Sequence, residues 1–436
     1  MSRDRGLAKV DGVIEREDVV IEGVDISGSW NRMLEPRVLS DYSTDTMDWI
    51  TGLEGGESLR WCYQCAKCVP VCPVEHVGSY GPRKIVRKVQ LGNNLLEDPD
   101  LWLCTSCAAC LRVCPKAVDM TRIMPAVREQ AVLEGAIPQE LAAAFENLQR
   151  QGNPMGEAAR KRPDWTKDAG VEVPIIGKLK RPVDVLWYVS DYTSYHPRGK
   201  DAARAMARVL TALEVDYAIL GGEERSDGDS VRLAGETGLF EMLAEKNIKA
   251  LGKYEFNQLV VMDPHAYNAF KNHYPALGGG GDYEVLHYTQ YLARHLDRLA
   301  PLLETPVEIN LTYHDPCYLG RHNGEYEAPR RLLEAIPGVT LTEMPHYKAT
   351  GFCCGGGGGG MWLDGLVAEH TSERLSERRV REAVATGATT LAVCCPYEPS
   401  RFEDAVKSTD NDGNLDVADI IELIARSMRL EGEAAA

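Results

Sequence analysis

No apolar run in the chain approaches eighteen residues, so the sequence offers no helix long enough to span a membrane. The opening Met1-Ser2-Arg3-Asp4-Arg5 runs into acidic residues and lacks the apolar core of a signal peptide, which makes the cytoplasm the expected location. A basic excess is missing as well. The net charge is −17, which argues against a nucleic-acid binder with its basic face and leaves small ligands or basic protein partners open. No Gly-x-x-x-x-Gly-Lys-Ser/Thr string is present, so the glycine-rich stretches are not a phosphate loop of that kind. Asp410-Asn411-Asp412-Gly413-Asn414 resembles the start of a calcium loop, but Ile421 stands where the bidentate glutamate is required. Solitary cysteines are also absent. All thirteen cysteines fall into motifs, eight between 62 and 114 and five between 317 and 395. In a reducing compartment such patterned cysteines are metal ligands or redox groups rather than disulfides.

At 436 residues, with 44% hydrophobic and 26% charged residues, the chain has room for two or three domains with ordinary cores. The first motif is Cys62-x-x-Cys65-x-x-Cys68-x-x-x-Cys72-Pro73, and it returns as Cys104-x-x-Cys107-x-x-Cys110-x-x-x-Cys114-Pro115. Three close cysteines wrap one face of a cubane, and the fourth, before proline, turns to the other cluster. One [4Fe–4S] cluster is therefore expected on Cys62, Cys65, Cys68 and Cys114, and a second on Cys104, Cys107, Cys110 and Cys72. Zinc sites use isolated cysteine pairs rather than such a run of four. The 31 residues between Cys72 and Cys104 exceed what a compact ferredoxin needs, and they predict a helix from Pro82 to Gly92.

Helices at Met124–Glu134 and Gln139–Gln149 follow from apolar spacing. From Val183 the pattern alternates. Strands are expected at 183–189, 217–220 and 259–262, with a helix at 200–213 between the first two. The order recurs: strand 308–313, helix 327–335, a long charged helix around 367–386, strand 390–393 and helix 417–428. The charged run Ser372–Glu382 reads as a solvated helix face. The two halves overlay on their cysteine positions. Asp191 falls on Cys317, Ser226-Asp227-Gly228 on Cys353-Cys354-Gly355, and Asp263-Pro264 on Cys395-Pro396. This predicts a duplicated domain whose first copy cannot build a thiolate site and instead covers the second copy's site.

The late cysteines centre on Gly351-Phe352-Cys353-Cys354, followed by six glycines, Gly355 to Gly360. Vicinal cysteines close no easy disulfide. A metal taking two thiolates from one tight turn suits them, and the glycines let backbone N–H groups approach sulfur. With Cys317, Cys394 and Cys395 they read as one iron–sulfur site. His314 and His322 flank Cys317. Each reads first as a hydrogen-bonded structural histidine and second as a proton donor during S–S cleavage. His265 and His346 are weaker candidates.

Cys317, Cys353-Cys354-Gly355 and Cys395-Pro396 together form the CCG motif, and with the double ferredoxin string the chain resembles the fused heterodisulfide reductase family of the HdrD type over about residues 55 to 430. Within it, the blank first motif and the glycine run look most like the DsrK branch. The resemblance implies an α+β multidomain protein: an N-terminal arm (1–58), a helical ferredoxin domain (59–125), a helical connector (126–182), a degenerate α/β CCG-like domain (183–300) and a CCG domain (301–430). It implies a special, non-cubane [4Fe–4S] cluster at Cys317, Cys353, Cys354 and Cys394/Cys395 that forms or cleaves a disulfide or trisulfide. It further implies a haem-b, quinone-reactive membrane subunit and a small DsrC-like sulfur carrier as partners, and a peripheral place on the cytoplasmic face of the inner membrane. The family's motif ends in cysteine where this chain has Glu398. Cys394 could replace that ligand, Glu398 could ligate, or one iron could stay open. A rival reading is electron transfer from a flavin-dependent dehydrogenase of glycolate, lactate or glycerol 3-phosphate to quinone. Three four-iron sites predict about twelve irons per chain in anaerobic iron analysis, and about eight would leave the third site empty.

Overall fold

A computed structural model describes residues 44–429, together with two short paired segments, Val20–Ile21 and Val24–Asp25. Most of the expected arm lies outside the described residues. Its last part is helix α1 (Asp45–Gly52). The ferredoxin region carries α2 (Pro82–Gln90), with Pro82 at the helix start where its missing N–H costs nothing. Two connector helices follow, α3 (Met120–Leu133) and α4 (Gln139–Gln151). α3 starts four residues before the expected position because Asp119 caps it, accepting from the Thr121 amide at 2.9 Å. Among the described residues, no helix is long and apolar enough to cross a membrane.

Two four-stranded parallel sheets follow. The first holds β1 (Val183–Tyr188), β2 (Tyr217–Ile219), β3 (Phe256–Val261) and β4 (Glu284–His287) in the order β2-β1-β3-β4. The second holds β5 (Ile309–Tyr313), β6 (Val339–Leu341), β7 (Thr390–Val393) and β8 (Asp416–Asp419) in the order β6-β5-β7-β8. Counted within each half, the order is the same, so the duplication extends to topology. β1 and β7 are buried along almost their whole length, as strands covered by helices on both faces must be. One large apolar core runs from the ferredoxin region through both sheets.

The halves meet reciprocally. Helices α5 (Pro197–Ala212) and α6 (Tyr288–Arg294) belong to the first half. The second half has α7 (Glu327–Ala335), α8 (Asp364–His370), α9 (Leu375–Ala385), α10 (Glu398–Ser408) and α11 (Ile420–Ser427). The long helix after the first strand of each half packs on the helix after the last strand of the other: α5 on α11 and α7 on α6. Such i-to-j, j-to-i contact is the signature of a twofold interface. Arg198 on α5 reaches Glu422 on α11 at 2.5 Å, and Tyr288 at the start of α6 donates to Asp419 at 2.5 Å.

Three expectations need correction. The single charged helix over 367–386 is two helices, because Thr371 pairs with Gly78 and the Ser372 amide donates to the Val77 carbonyl at 2.7 Å. The helix expected from Val417 starts at Ile420, since 416–419 add an edge strand to β7 and Asp419 caps the helix. The run 372–382 is not simply a solvated face, because Arg379 is fully buried in it. Strands β4, β6 and β8 are three or four residues long and leave little period-2 signal to read.

Burial pushes the Asp419 carboxyl up to about 7. The folded chain therefore holds a proton there that the unfolded chain releases near pH 4. Its contribution to stability is full below that pH and lost as pH rises toward 7. Unfolding free energy of the wild type should fall relative to Asp419→Asn between about pH 4 and 7 and run level above, measured by urea titration at a series of pH values.

Candidate metal centres

The two ferredoxin loops share one backbone device. Gln64 and Ala66 in the first, and Ser106 and Ala108 in the second, all have positive φ, between 51° and 66°. These are equivalent positions, each between successive cysteines. Non-glycine residues held there cost roughly 1 kcal/mol each, and the turn they make aims three sulfurs inward. One cavity is lined by Cys62, Cys65, Cys68 and Cys114, together with Cys110, Lys67 and Arg83. A second is lined by Cys72, Cys104, Cys107 and Cys110. Cys65 is exposed, whereas Cys72, Cys104 and Cys107 are buried. The first cavity thus opens toward solvent and the second is internal. Burial pushes the Cys72 thiol up to about 12, so a neutral thiol or a metal-bound thiolate is what the surroundings tolerate.

The third cavity sits at the carboxyl ends of β5 and β7. Chain order reverses between these neighbouring strands, and open α/β sheets bind ligands at such a point. Cys317 leaves the β5 end and Cys395 the β7 end. Both line the cavity with Cys354, Gly356, Gly357 and Glu398, and the first half contributes Ser230, Pro264 and His265. Cys353 lies just behind, packed with Cys107 and Cys317. Thiols of Cys107, Cys317 and Cys354 donate to Cys353 and draw its pKa well down. The Gly355 amide adds a donor at 3.3 Å. The five late cysteines are not all brought together. The Cys394 sulfur is 3.1 Å from the Tyr313 hydroxyl, on the side of the core.

The glycine run does more than supply amides. A Cβ on Gly357 would lie 2.3 Å from the Thr105 carbonyl oxygen, and one on Gly358 would lie 2.4 Å from that of Cys104. The loop after Cys354 is pressed on the backbone of the second ferredoxin loop, where no side chain fits. Two buried arginines that no sequence pattern singles out secure this seam. Arg128 donates to the carbonyls of Leu101, Cys104, Leu233 and Gly358 at 2.7–3.1 Å. Arg321 donates to Cys107 O at 2.6 Å and to Gly351 O, and its Nη2 has no protein partner.

His322 donates from Nε2 to the Ser106 carbonyl at 2.9 Å, stacks on Tyr318, and burial lowers it to about 4. It is a structural ring. His346 is half exposed and bonded to Glu382. His265, a weak candidate from sequence, lines the cavity and pairs with Asp229 at 2.8 Å. His314 is buried, with Nδ1 3.1 Å from the Arg379 Nε–H and Nε2 3.2 Å from Glu398 Oε1. Burial, then Arg379, push its pKa well down, so the ring is neutral. In the first half, Arg162 stands between Asp191 at 2.5 Å and Glu224 at 2.7 Å, all nearly fully buried. That half balances these two buried acids with a guanidinium, where the second half gathers thiols.

These features have counterparts in known proteins. Residues 61–118 match the 4Fe-4S dicluster domain and residues 311–397 the Cysteine-rich domain CCG. The HdrD component of dihydromethanophenazine:CoB–CoM heterodisulfide reductase from Methanosarcina barkeri is 31% identical over 401 residues, which are 85% of this chain and 94% of that protein. The chain belongs to the HdrD-type heterodisulfide reductase family. Relatedness extends to the "Probable iron-sulfur-binding oxidoreductase FadF" of Bacillus subtilis, 35% identical over 77% of this chain and 47% of that protein. The EtfAB:quinone oxidoreductase of Syntrophomonas wolfei is 33% identical over 75% of this chain and 46% of that protein. The chain spans about half the length of these last two relatives. Family membership makes it an iron–sulfur oxidoreductase of mixed α/β build.

Gly357→Ala and Gly358→Ala should each destabilise the chain by about 1–3 kcal/mol, because carbonyls of residues 104–105 must move. Gly238→Ala, where a Cβ meets nothing within 4 Å, should not destabilise. Urea midpoints measured side by side check the contrast.

Proposed function

We propose that this chain carries electrons through three iron–sulfur clusters to a site of disulfide chemistry. The surface cluster sits on Cys62, Cys65, Cys68 and Cys114, and the interior cubane on Cys72, Cys104, Cys107 and Cys110. The third, of the family's non-cubane type, sits on Cys317, Cys353, Cys354 and Cys395. A disulfide or trisulfide, on a small DsrC-like sulfur carrier, is cleaved or formed there by two one-electron transfers. The observation that carries this reading is the contact of Cys107 with Cys353, which in turn meets Cys317. A ligand of the interior cubane touches a ligand of the third site, so electrons cross no intervening layer of protein. The thiols also match what a cluster demands, since buried cysteines drawn to one another without a disulfide are costly unless metal-bound. A haem-b, quinone-reactive membrane protein is the partner at the exposed end, on the cytoplasmic face of the inner membrane.

A second reading draws on the relatives named EtfAB:quinone oxidoreductase and FadF. In it the same three clusters take electrons from a flavoprotein and pass them to quinone, without disulfide turnover.

The full chain, purified anaerobically and reduced with a one-electron dye, separates the two. The proposal expects turnover of a small disulfide, and a new EPR signal when the oxidised protein meets a thiol. Cys354→Ala should lose both while keeping the two cubane signals. Full turnover and an unchanged spectrum in Cys354→Ala would overturn the assignment, and quinone reduction without disulfide turnover favours the second reading.

A further inference from the structure

The late motif leaves its last ligand open, and the geometry around Glu398 bears on it. Cys394 is committed to the Tyr313 hydroxyl and does not line the cavity. Glu398 does line it, from the first residue of α10, with 1% of its surface exposed. Its Oε1 lies 3.2 Å from His314 Nε2, and its Oε2 has no donor from the protein. A buried carboxyl oxygen without a partner calls for a proton or a cation to meet it.

His314 could compete for the same role, because ligating atoms of His314, Cys354 and Glu398 all lie within 4.8 Å of one another. Arg379 removes it from the competition. A guanidinium only donates. Its Nε–H points at His314 Nδ1 from 3.1 Å, so Nδ1 must present its lone pair. The ring's single proton then sits on Nε2, which lies 3.2 Å from Glu398 Oε1 without the alignment of a hydrogen bond, and that nitrogen has no lone pair left for a metal. Glu382 and the His346 carbonyl hold Arg379 at 2.6 Å and 2.7 Å, which fixes the whole chain of contacts.

We propose that Glu398 supplies, through Oε2, an oxygen ligand to the iron cluster of the third site, and that His314 is the positioning residue that aims it. This rests on the reading that the cavity holds such a cluster. Soft thiolates match cluster iron better than a carboxylate does. The carboxylate is thus the ligand that an incoming thiolate can replace, anion for anion, which assigns a sulfur anion as the class of ligand that enters here.

The test uses the full chain loaded anaerobically with 57Fe and read by Mössbauer spectroscopy. Wild type should hold about twelve irons, one of them with the raised isomer shift of oxygen coordination. Glu398→Cys should keep the iron count and lose that component. Should Glu398→Cys fail to fold, Glu398→Gln carries the same test, with the component shifted or lost. His314→Gln, which keeps a donor, should preserve the component, and His314→Leu should broaden or lose it. An unchanged spectrum at full iron content in both Glu398 variants would overturn the inference and leave the cluster reading intact. About eight irons in the wild type would instead overturn the cluster reading itself.

Discussion

The Arg128 guanidinium is the interaction on which the rest depends. Its five N–H groups are spent on carbonyls from three parts of the chain: the second ferredoxin loop at Leu101 and Cys104, the first α/β half at Leu233, and the CCG loop at Gly358. Those carbonyls are buried and would otherwise lack donors, which no packing of apolar groups could repair. Lysine, with one compact ammonium, could not reach all of them in a plane. Arg128 fixes where the second ferredoxin loop sits against the third cavity, and the glycine run lets the two backbones close to contact. Side chains at Gly357 or Gly358 would hold them apart. In the proposed relay, electron passage between the sites depends on that closeness.

The two α/β halves work by the same rule from different chemistry. Each presents two loop ends at the switch point of a parallel sheet. One half fills that point with thiols, the other with acids and arginine. The acid half is not idle scaffold, since its Pro264, His265 and Ser230 form a wall of the thiol half's cavity.

Much of this was legible in the chain. The ferredoxin strings point to which cysteines can share a cavity, because their spacing sets the turns; Cys72 and Cys114 line the cavity opposite their own string, while Cys110 lines both. The repeat was legible too, since Asp191 and Cys317, like Asp263 and Cys395, follow equivalent strands. Short strands β4, β6 and β8 were not: the equally short β2 and β7 are buried throughout and read as apolar runs, whereas each of these three includes an exposed position and pairs by tertiary context. Nor was the break at Thr371, which exists only because Gly78 arrives from the ferredoxin region. Buried arginines left no trace: Arg128, Arg321 and Arg379 look like ordinary surface charges until the backbones they serve are placed. Cys394 and Glu398 show the same limit. Sequence puts both within reach of the site, and only the fold turns one toward Tyr313 and the other inward.

The reciprocal packing of α5 on α11 and α7 on α6 is the geometry of a symmetric dimer written into one polypeptide. In a true dimer of identical chains, every substitution would appear twice, once on each side of the axis. A cysteine gained at one site would be gained at both, and a lid residue such as His265 could not differ from the ligand opposite it. Joining the halves frees each position to change alone. One side could keep its thiols while its twin gave them up and became the wall.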